Sequence, residues 1–371
     1  MNKVGIITFH NSYNCGSMLE TYAMQESVRN YFEPEIVNYS SEGQKRLYSV
    51  LRKNNSIKNI AYNILSIPAV RRIAKNNEKY REFQKKFFKL SDNVSEEKIS
   101  DADYAAVVAG SDQIWNITIA DYNDVYFLNW VKNAKKIAYS PSFGAKNPAK
   151  HSKDINQIKE YLSDFDALSI REKNGQKWLA DLGFKNVPVL LDPTLLLEQK
   201  DYKPLEDNEC TPKEKYIFFY SPHFDKDMCS FVKKVAKKYG YKVITWSTRA
   251  YFIKAIWRFG FKLPKYENPS VYLSLIKNAE LVFTTSYHGT IFSTIYRKKF
   301  FCLKNGGMYG DDDRVRTLLE QLNMMDRLIE YNFDDSFDYF SDVDYYKYEE
   351  SIKPLKKKSQ EYLEKSLKDV K

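Results

Sequence analysis

The stretch LVFTTSYHGTIFSTI, residues 281–295, joins a short apolar run to a segment with the composition of a helix start. The run LVFT is typical of a strand buried on both faces of a parallel sheet. The turn TSYHG that follows places His288 and Gly289 where this strand ends. Ligands of open α/β sheets bind outside the carboxyl ends of the strands, so the junction is a candidate site.

The same pattern of strand and helix recurs along the chain. Short apolar runs alternate with helical segments from VGIITF to VPVLL, and the alternation restarts at YIFFYS after a charged stretch, residues 197–215, that contains two prolines. This alternation predicts an α/β fold with parallel, doubly wound sheets in two successive halves. We therefore expect a GT-B-like fold, in which two Rossmann-type domains face a central cleft.

The predicted domains follow from these breaks. An N-terminal Rossmann-like domain is expected over residues 1–200 and a C-terminal one over residues 212–335. Residues 340–371 contain an amphipathic helix that is long enough to pack back on the first domain.

Composition limits the class of protein. With 371 residues, of which 43% are hydrophobic and 29% charged, the chain supports two packed cores and does not resemble a disordered sequence. The four cysteines show neither a CxxC pair nor a metal-ligand spacing, so we predict no disulfide framework and no metal site. No apolar run approaches the ~18–20 residues of a membrane span, and the expected location is the cytoplasm.

One segment carries the positive charge. Residues 44–90 contain thirteen Lys and Arg and two Glu, whereas the whole chain has a net charge of +10. Within this segment Ile57, Ile60, Ala61, Ile64 and Leu65 are spaced as one apolar stripe of a helix.

Two interpretations of this basic helical excursion remain open. In the first, the stripe packs on the domain and the charges are solvated. In the second, the excursion makes peripheral contact with an anionic membrane surface on the inner face of the cytoplasmic membrane, or with a diphosphate-bearing lipid substrate. Nucleic acid is not expected as a partner, because no recognisable binding module is present.

An ordered set of motifs spans most of the chain. In sequence order they are NCGSMLETYAMQ, VVAGSDQIWN, SFGA, SIREKNGQKWLADLG, LLDPTLLL, SYHGTIFSTI and DDRVRTLLEQL. Together, from about Gly5 to Leu322, they resemble the polysaccharide pyruvyl transferase family. The resemblance implies a pyruvyltransferase that moves the carboxyethylidene group of phosphoenolpyruvate onto two hydroxyls of a hexose in bacterial surface polysaccharide (exopolysaccharide or capsule) biosynthesis, forming a ketal and releasing phosphate.

The donor of that reaction carries a phosphate and a carboxylate. Helix starts and arginine side chains bind such anions, and Arg171 follows the predicted strand ALSI directly. A salt bridge that caps the first helical turn is the alternative role for Arg171. The remaining donor-binding candidates lie at strand ends or before a helix: Asn14, Gly16, Ser17, Ser286, Gly289, Arg314 and Arg316. The two last arginines also have acidic neighbours, Asp311 to Asp313, with which to pair.

Ketal formation needs a group that moves protons near neutral pH. Histidine is the side chain whose ordinary pKa lies there, and His288 is our candidate general acid and base. An ordinary buried, hydrogen-bonded histidine is the alternative. Phosphoenolpyruvate is the expected donor substrate, and no other cofactor and no metal is expected.

The acceptor is expected to be a sugar, with a lipid-linked oligosaccharide as one form of it. Asp112 and Gln113 are candidates for hydrogen bonds to its hydroxyls, Trp115 for stacking on its ring, and Ser142 for a further polar contact. A polar turn with a core tryptophan is the alternative for the first three.

Two rival functions belong to different classes. A GT-B glycosyltransferase would be stabilised by a nucleotide sugar and not by phosphoenolpyruvate. A non-catalytic glycan-binding assembly protein would bind glycan without changing it.

Overall fold

The computed structural model describes residues 3–53, 55–144, 146–304, 314–368 and 370. Its strands form two separate sheets in which all pairings between strands are parallel. The strands of the first sheet are β1 (Lys3–Ile7), β2 (Glu33–Ile36), β3 (Ala106–Ala109) and β4 (Lys135–Ala138). Those of the second sheet are β5 (Tyr216–Tyr220), β6 (Lys242–Thr245), β7 (Leu281–Thr284), β8 (Phe300–Leu303) and β9 (Leu328–Ile329).

Helices separate the strands along the chain. In the first lobe they are α1 (Cys15–Arg29), α2 (Glu42–Leu47), α3 (Ile57–Ser66), α4 (Val70–Phe87), α5 (Pro148–His151), α6 (Ile155–Ser163), α7 (Lys173–Asp181) and α8 (Gln199–Tyr202). The second lobe begins with α9 (Lys226–Tyr239) and continues with α10 (Thr248–Ile253), α11 (Pro269–Asn278), α12 (Tyr287–Ile295) and α13 (Arg314–Gln321), and the chain ends with α14 (Tyr345–Leu367).

Both sheets have a Rossmann-type strand order. The first runs β2-β1-β3-β4 and the second runs β6-β5-β7-β8-β9. The predicted strands at ALSI and VPVLL appear only as isolated bridges, Ile137 to Ala167 and Ile170 to Val189, which extend the first sheet beyond β4. Strands β3 and β7 are buried along their whole length, as central parallel strands require. The expected arrangement of two α/β lobes around a cleft is confirmed by these sheets and by the cavity between them.

The lobes share part of their core. One apolar cluster includes Met18 and Leu19 of α1 together with Ile291 and Phe292 of α12, so residues from both lobes bury one another. Burial of this kind holds the two lobes against each other at the base of the cleft.

Helix α14 crosses between the lobes. Near its start, Tyr345 donates to the backbone oxygen of Ser293 in the second lobe at 3.2 Å. Near its end, Tyr362 donates to the oxygen of Ala138 at 3.0 Å, and Leu363 is buried in the core of the first lobe. The helix therefore begins on one lobe and ends on the other.

The basic excursion consists of helices α2 to α4, with a 3-10 turn (Ile67–Ala69) around Pro68. The interpretation in which its apolar stripe packs on the domain is wrong, because Ile57 is 86% exposed, Ile60 43% and Ile64 59%. The other side of the excursion is held by the second lobe. The buried Asn76 of α4 donates to Thr248 of α10 at 3.1 Å.

None of the helices in the described ranges combines the length and the apolar character that crossing a bilayer requires.

Candidate active site in the cleft between the lobes

A cavity of ≈ 750 Å³ opens between the two lobes. It brings together most of the side chains that the sequence singled out. The predicted residues that line it are Asn14, Ser17, Asp112, Gln113, Arg171, Ser286, His288, Arg314 and Arg316. Their separate positions along the chain therefore converge on one site.

Two helices begin at this cavity, one from each lobe. Helix α1 starts after Asn14, whose side chain accepts from the Gly16 amide at 2.9 Å. Helix α12 starts after Ser286, whose hydroxyl accepts from the Gly289 amide at 3.3 Å. Neither helix has an acidic residue in its first turn, so both positive dipole ends remain available to an anion.

The charged groups around the cavity favour the same kind of ligand. Among its described lining residues are five cations, Lys146, Arg171, Lys304, Arg314 and Arg316, and two acids, Asp112 and Glu330. Lys304 pairs with Glu330 at 2.8 Å. The excess of positive charge suits a substrate with more than one negative group.

His288 comes from the second lobe and meets two acids of the first. Its Nε2 lies 3.3 Å from Oδ2 of Asp192 and 3.5 Å from Oε2 of Glu20. His288 is 9% exposed, and both acids are fully buried. A carboxylate in this position orients an imidazole and stabilises its protonated form.

The other nitrogen of the His288 ring lies against the start of α1. A Cβ added to Gly16 would lie 2.2 Å from Nδ1, so no residue larger than glycine fits there without a shift. Gly16, predicted as part of an anion-binding turn, therefore also makes room for the imidazole. Gly289 makes room in the same way for Thr284, whose Oγ1 would lie 2.4 Å from an added Cβ.

Arg171 is paired with the same acids. Its Nη1 donates to Glu20 at 3.1 Å and to Asp192 at 2.9 Å, and its guanidinium lies over the ring of Tyr287 at 4.6 Å. Arg171 therefore forms salt bridges, which was its alternative role. Its closest partners are the buried Glu20 and Asp192, and not acids of the helix start that follows it. The guanidinium still lines the cavity, and its Nε has no hydrogen-bond partner among the residues that the structure describes.

The pKa values of the two acids shift in opposite directions. Burial raises the pKa of Glu20 well above its ordinary value, and the nearby charges of Asp192 and Asp112 raise it further. Burial also opposes ionisation of Asp192, but His288 and Arg171 outweigh it and hold the pKa of Asp192 below its ordinary value. The shifts thus favour the neutral acid for Glu20 and the carboxylate for Asp192, whose oxygen lies closer to the imidazole.

Ligand atoms of Glu20, Asp192 and His288 all lie within 4.8 Å of one another, and these residue types bind divalent cations. The guanidinium of Arg171 already lies against both acids. A cation added here would be repelled by Arg171, which supplies the positive charge that a metal otherwise brings.

Two acceptor predictions are corrected by burial. Trp115 is fully buried, stacks on Phe127 at 5.1 Å and donates its Nε1 proton to the oxygen of Tyr126. The loop after β3 turns the indole into the core, so Trp115 has no face for a sugar. Ser142 is also fully buried, and its hydroxyl donates to Glu172 at 2.8 Å.

A second chamber of ≈ 470 Å³ adjoins the first. The two share Asn14, Tyr220, Pro222, His223 and Ser286 as walls. Its other walls come mainly from the excursion on one side and from residues around α10 on the other. Seven aromatic side chains line it: Tyr13, Tyr48, Tyr62, Tyr80, Tyr220, Trp246 and Tyr272.

The sequence analysis missed Glu20, Asp192 and Tyr287 as members of the cluster. Glu20 follows Gly16 by four residues, which places both on one face of α1, and this spacing was the available signal. The aromatic chamber had no such signal, because its walls come from distant parts of the chain.

The sequence matches a family model described as polysaccharide pyruvyl transferase over residues 14–307. Among curated proteins, none matches it significantly.

Solved structures that are similar to this one include two epimerases and a transferase. The UDP-GlcNAc 2-epimerase from Methanocaldococcus jannaschii has 12% identity and a TM-score of 0.49, with 95% of this chain and 92% of that chain covered. The enzyme of the same name from Neisseria meningitidis, bound to UDP-GlcNAc, has 10% identity and a TM-score of 0.48, covering 98% and 100%. The E. coli heptosyltransferase WaaC has 10% identity and a TM-score of 0.39, covering 86% and 99%.

Proposed function

Because the chain belongs to the polysaccharide pyruvyl transferase family, we propose that it transfers the carboxyethylidene group of phosphoenolpyruvate to two hydroxyls of a hexose. The observation that carries this proposal is the meeting of His288 from one lobe with Arg171 and Asp192 from the other, beside two helix N-termini. A proton carrier and an anion-binding site then share one cavity.

The larger cavity is the proposed donor site. Phosphoenolpyruvate has a phosphate and a carboxylate, and the cavity has two helix starts and an excess of cations for them. Arg314 and Arg316 lie at the start of α13 and line the cavity, which supports a role for them in neutralising one of these groups.

The reaction balances with the groups at hand. A proton adds to the methylene carbon of the donor and leaves an oxocarbenium-like centre, which one sugar hydroxyl attacks with loss of its proton. The carbon–oxygen bond to phosphate then breaks, and the second hydroxyl attacks the same carbon. Of the two hydroxyl protons released, one replaces the proton delivered to the methyl carbon and the other leaves with phosphate.

In this scheme His288 moves the protons. Asp192, held ionised, keeps the imidazole oriented and stabilises it while it carries a proton. Arg171 fixes Asp192 in place and contributes its charge to the wall of the donor cavity.

The aromatic chamber is the proposed acceptor site. Flat aromatic side chains pack on the apolar faces of sugar rings, and the chamber also offers polar groups on Asn76, Asn77 and Glu267. It meets the donor cavity at Asn14 and Ser286, so a sugar bound there would lie next to the donor.

Phosphate release tests the proposal. Purified protein is incubated with phosphoenolpyruvate and a panel of glycan acceptors, and release that depends on both substrates is expected. His288→Ala is expected to lower kcat/KM by ~10²- to 10⁴-fold. The matched control is His151→Ala, which removes an exposed histidine at the end of α5 and is expected to leave the rate unchanged.

Two results would count against the proposal. Full turnover by His288→Ala would remove the assigned role of the imidazole. Thermal stabilisation by uridine or guanosine diphosphate sugars, with none by phosphoenolpyruvate, would point instead to a glycosyltransferase.

A further inference from the structure

The basic excursion presents an apolar face to solvent. In the described part of the chain, every exposed leucine and isoleucine lies within one stretch of twenty-one residues: Leu47, Leu51, Ile57, Ile60, Ile64, Leu65 and Ile67. Such concentration differs from the scattered apolar residues of an ordinary protein surface.

Positive charge surrounds this face. Residues 44–77 contain eight Lys and Arg and no acidic residue. Lys45, Arg46, Arg52, Lys53 and Lys58 are all exposed and lie beside or within the apolar stretch. An amphipathic helix with exposed isoleucines and flanking cations is the type that lies in the interface of an anionic bilayer.

This apolar face is held in place by contacts within the segment and by one residue of the second lobe. Asn63 of α3 donates to the oxygen of Arg52 at 2.8 Å, and the Arg52 guanidinium lies over the ring of Tyr62 at 3.6 Å. From the second lobe, Arg249 donates to the Tyr62 hydroxyl at 2.8 Å. These contacts hold the polar side of the segment against the protein, and the isoleucines on its other side are left exposed.

The same segment borders the aromatic chamber. Leu47 and Arg52 are exposed and also line the chamber, which places them at its mouth. A molecule anchored in a lipid layer at this face has a short path to the chamber.

We propose that residues 45–67 dock the protein on an anionic membrane surface and thereby present the aromatic chamber to an acceptor sugar carried on a membrane lipid. The docking itself depends only on the surface, whereas the lipid-linked acceptor rests on the proposed pyruvyl transfer.

Vesicle flotation tests the docking. The full chain is mixed with vesicles of phosphatidylcholine alone or of phosphatidylcholine with phosphatidylglycerol, without phosphoenolpyruvate or acceptor. We expect flotation with the anionic vesicles, little with the neutral ones, and a decrease as salt is raised. The triple variant Ile57→Asp, Ile60→Asp, Ile64→Asp is expected to bind at least ~10-fold more weakly.

Two further variants complete the test. Arg46→Glu with Lys53→Glu and Lys58→Glu is expected to lose binding to anionic vesicles to a similar degree. The matched control, Trp257→Asp with Tyr346→Asp, removes exposed aromatic residues outside the segment and is expected to float like the wild type. Thermal melting of each variant shows whether it is folded.

The docking proposal is overturned if the wild type floats with neither lipid, or if the isoleucine variant floats as well as the wild type. It is also overturned if the wild type is a dimer that the isoleucine variant converts to monomers while lipid binding stays absent, because the face then binds a second copy. The isoleucine variant is expected to keep its rate on a soluble glycan. If the wild type floats with anionic vesicles but releases no phosphate with any acceptor, the proposed reaction is contradicted and the docking proposal still holds.

Discussion

His288 is enclosed on both sides by groups of the opposite lobe. Asp192 and Glu20 face its Nε2, and Gly16 faces its Nδ1. The two acids share one environment, but their pKa values shift in opposite directions: burial raises that of Glu20, while His288 and Arg171 lower that of Asp192 against the effect of burial. Opposed pKa shifts of neighbouring groups are typical of sites that move protons.

The difference between the acids predicts different costs of neutralising them. Asp192→Asn removes the carboxylate closest to the buried Arg171 guanidinium and is expected to lower the free energy of unfolding by ~3–5 kcal/mol at pH 7. Glu20→Gln replaces an acid whose pKa is shifted toward its neutral form, and it is expected to cost less stability at pH 7 than Asp192→Asn. Urea denaturation of both variants against the wild type provides the measurement.

The directions of the two pKa shifts predict how the stability of each variant depends on pH. Because the folded pKa of Asp192 is depressed, its stabilisation is complete above its ordinary value of 3.8 and is lost as the pH falls below that value. The deficit of Asp192→Asn is therefore expected to shrink at acid pH. The folded pKa of Glu20 is raised, so its contribution is complete below 4.5 and is lost as the pH rises through the folded pKa. A deficit of Glu20→Gln at pH 7 larger than that of Asp192→Asn would contradict this assignment.

Gly16→Ala tests the contact between the lobes. The added methyl group would overlap Nδ1 of His288, so the imidazole has to leave its present position between Gly16 and Asp192. We expect kcat for phosphate release to fall by ~10²-fold, since the displaced ring no longer keeps its present geometry with its orienting carboxylate. Gly183→Ala is the control for a glycine replaced away from the ring: nothing lies within 4 Å of a Cβ there, and its φ of +103° makes alanine strained, so it is expected to lower stability but not kcat. An unchanged kcat in Gly16→Ala would show that the position of the ring does not matter.

At the scale of elements, the site is built from the starts of helices. Helices α1 and α12 both begin at the donor cavity, capped by Asn14 and Ser286, and α13 adds its first arginines. Helix α4 instead lines the aromatic chamber, where Asn76, Asn77 and Tyr80 form part of the wall. In the proposed scheme, donor and acceptor therefore bind mainly to different elements.

This division predicts a split of the Michaelis constants. Arg316→Ala removes an exposed cation of the donor cavity and is expected to raise the KM for phosphoenolpyruvate ~10-fold, with the KM for the sugar unchanged. Tyr13→Ala removes an aromatic wall of the other chamber and is expected to do the reverse. Steady-state kinetics with each substrate varied in turn measures both. Equal effects on both constants in either variant would show that the two chambers are not separate sites.

At the scale of the whole molecule, the alternation of apolar runs and helices was enough to predict the two α/β lobes. Strand ends such as TSYHG also pointed to the cleft, since in a parallel sheet all carboxyl ends lie on one side. Contacts between residues far apart in the chain could not be predicted from the sequence. The direction of Trp115 depends on Phe127 and Tyr126, and the pairing of Glu20 with Arg171 joins residues 151 positions apart.

The whole active cluster is proposed to work without a metal. Arg171 already supplies a positive charge to Glu20 and Asp192, so a divalent cation is not needed to hold them. Treatment with EDTA followed by gel filtration is therefore expected to leave phosphate release at the untreated rate. Loss of activity that Mg²⁺ or Mn²⁺ restores, but K⁺ does not, would instead place a cation among Glu20, Asp192 and His288.

The fate of the donor's carbon tests the account most directly. The protein is incubated with ¹³C-labelled phosphoenolpyruvate and a lipid-linked or free oligosaccharide, and the oligosaccharide is analysed by mass spectrometry while free phosphate is measured. We predict that the acceptor gains the labelled carboxyethylidene group, with one phosphate released for each group gained, and that His288→Ala forms this product far more slowly. An acceptor that stays unlabelled across a broad panel, or that gains a sugar from an added nucleotide sugar instead, would contradict the account.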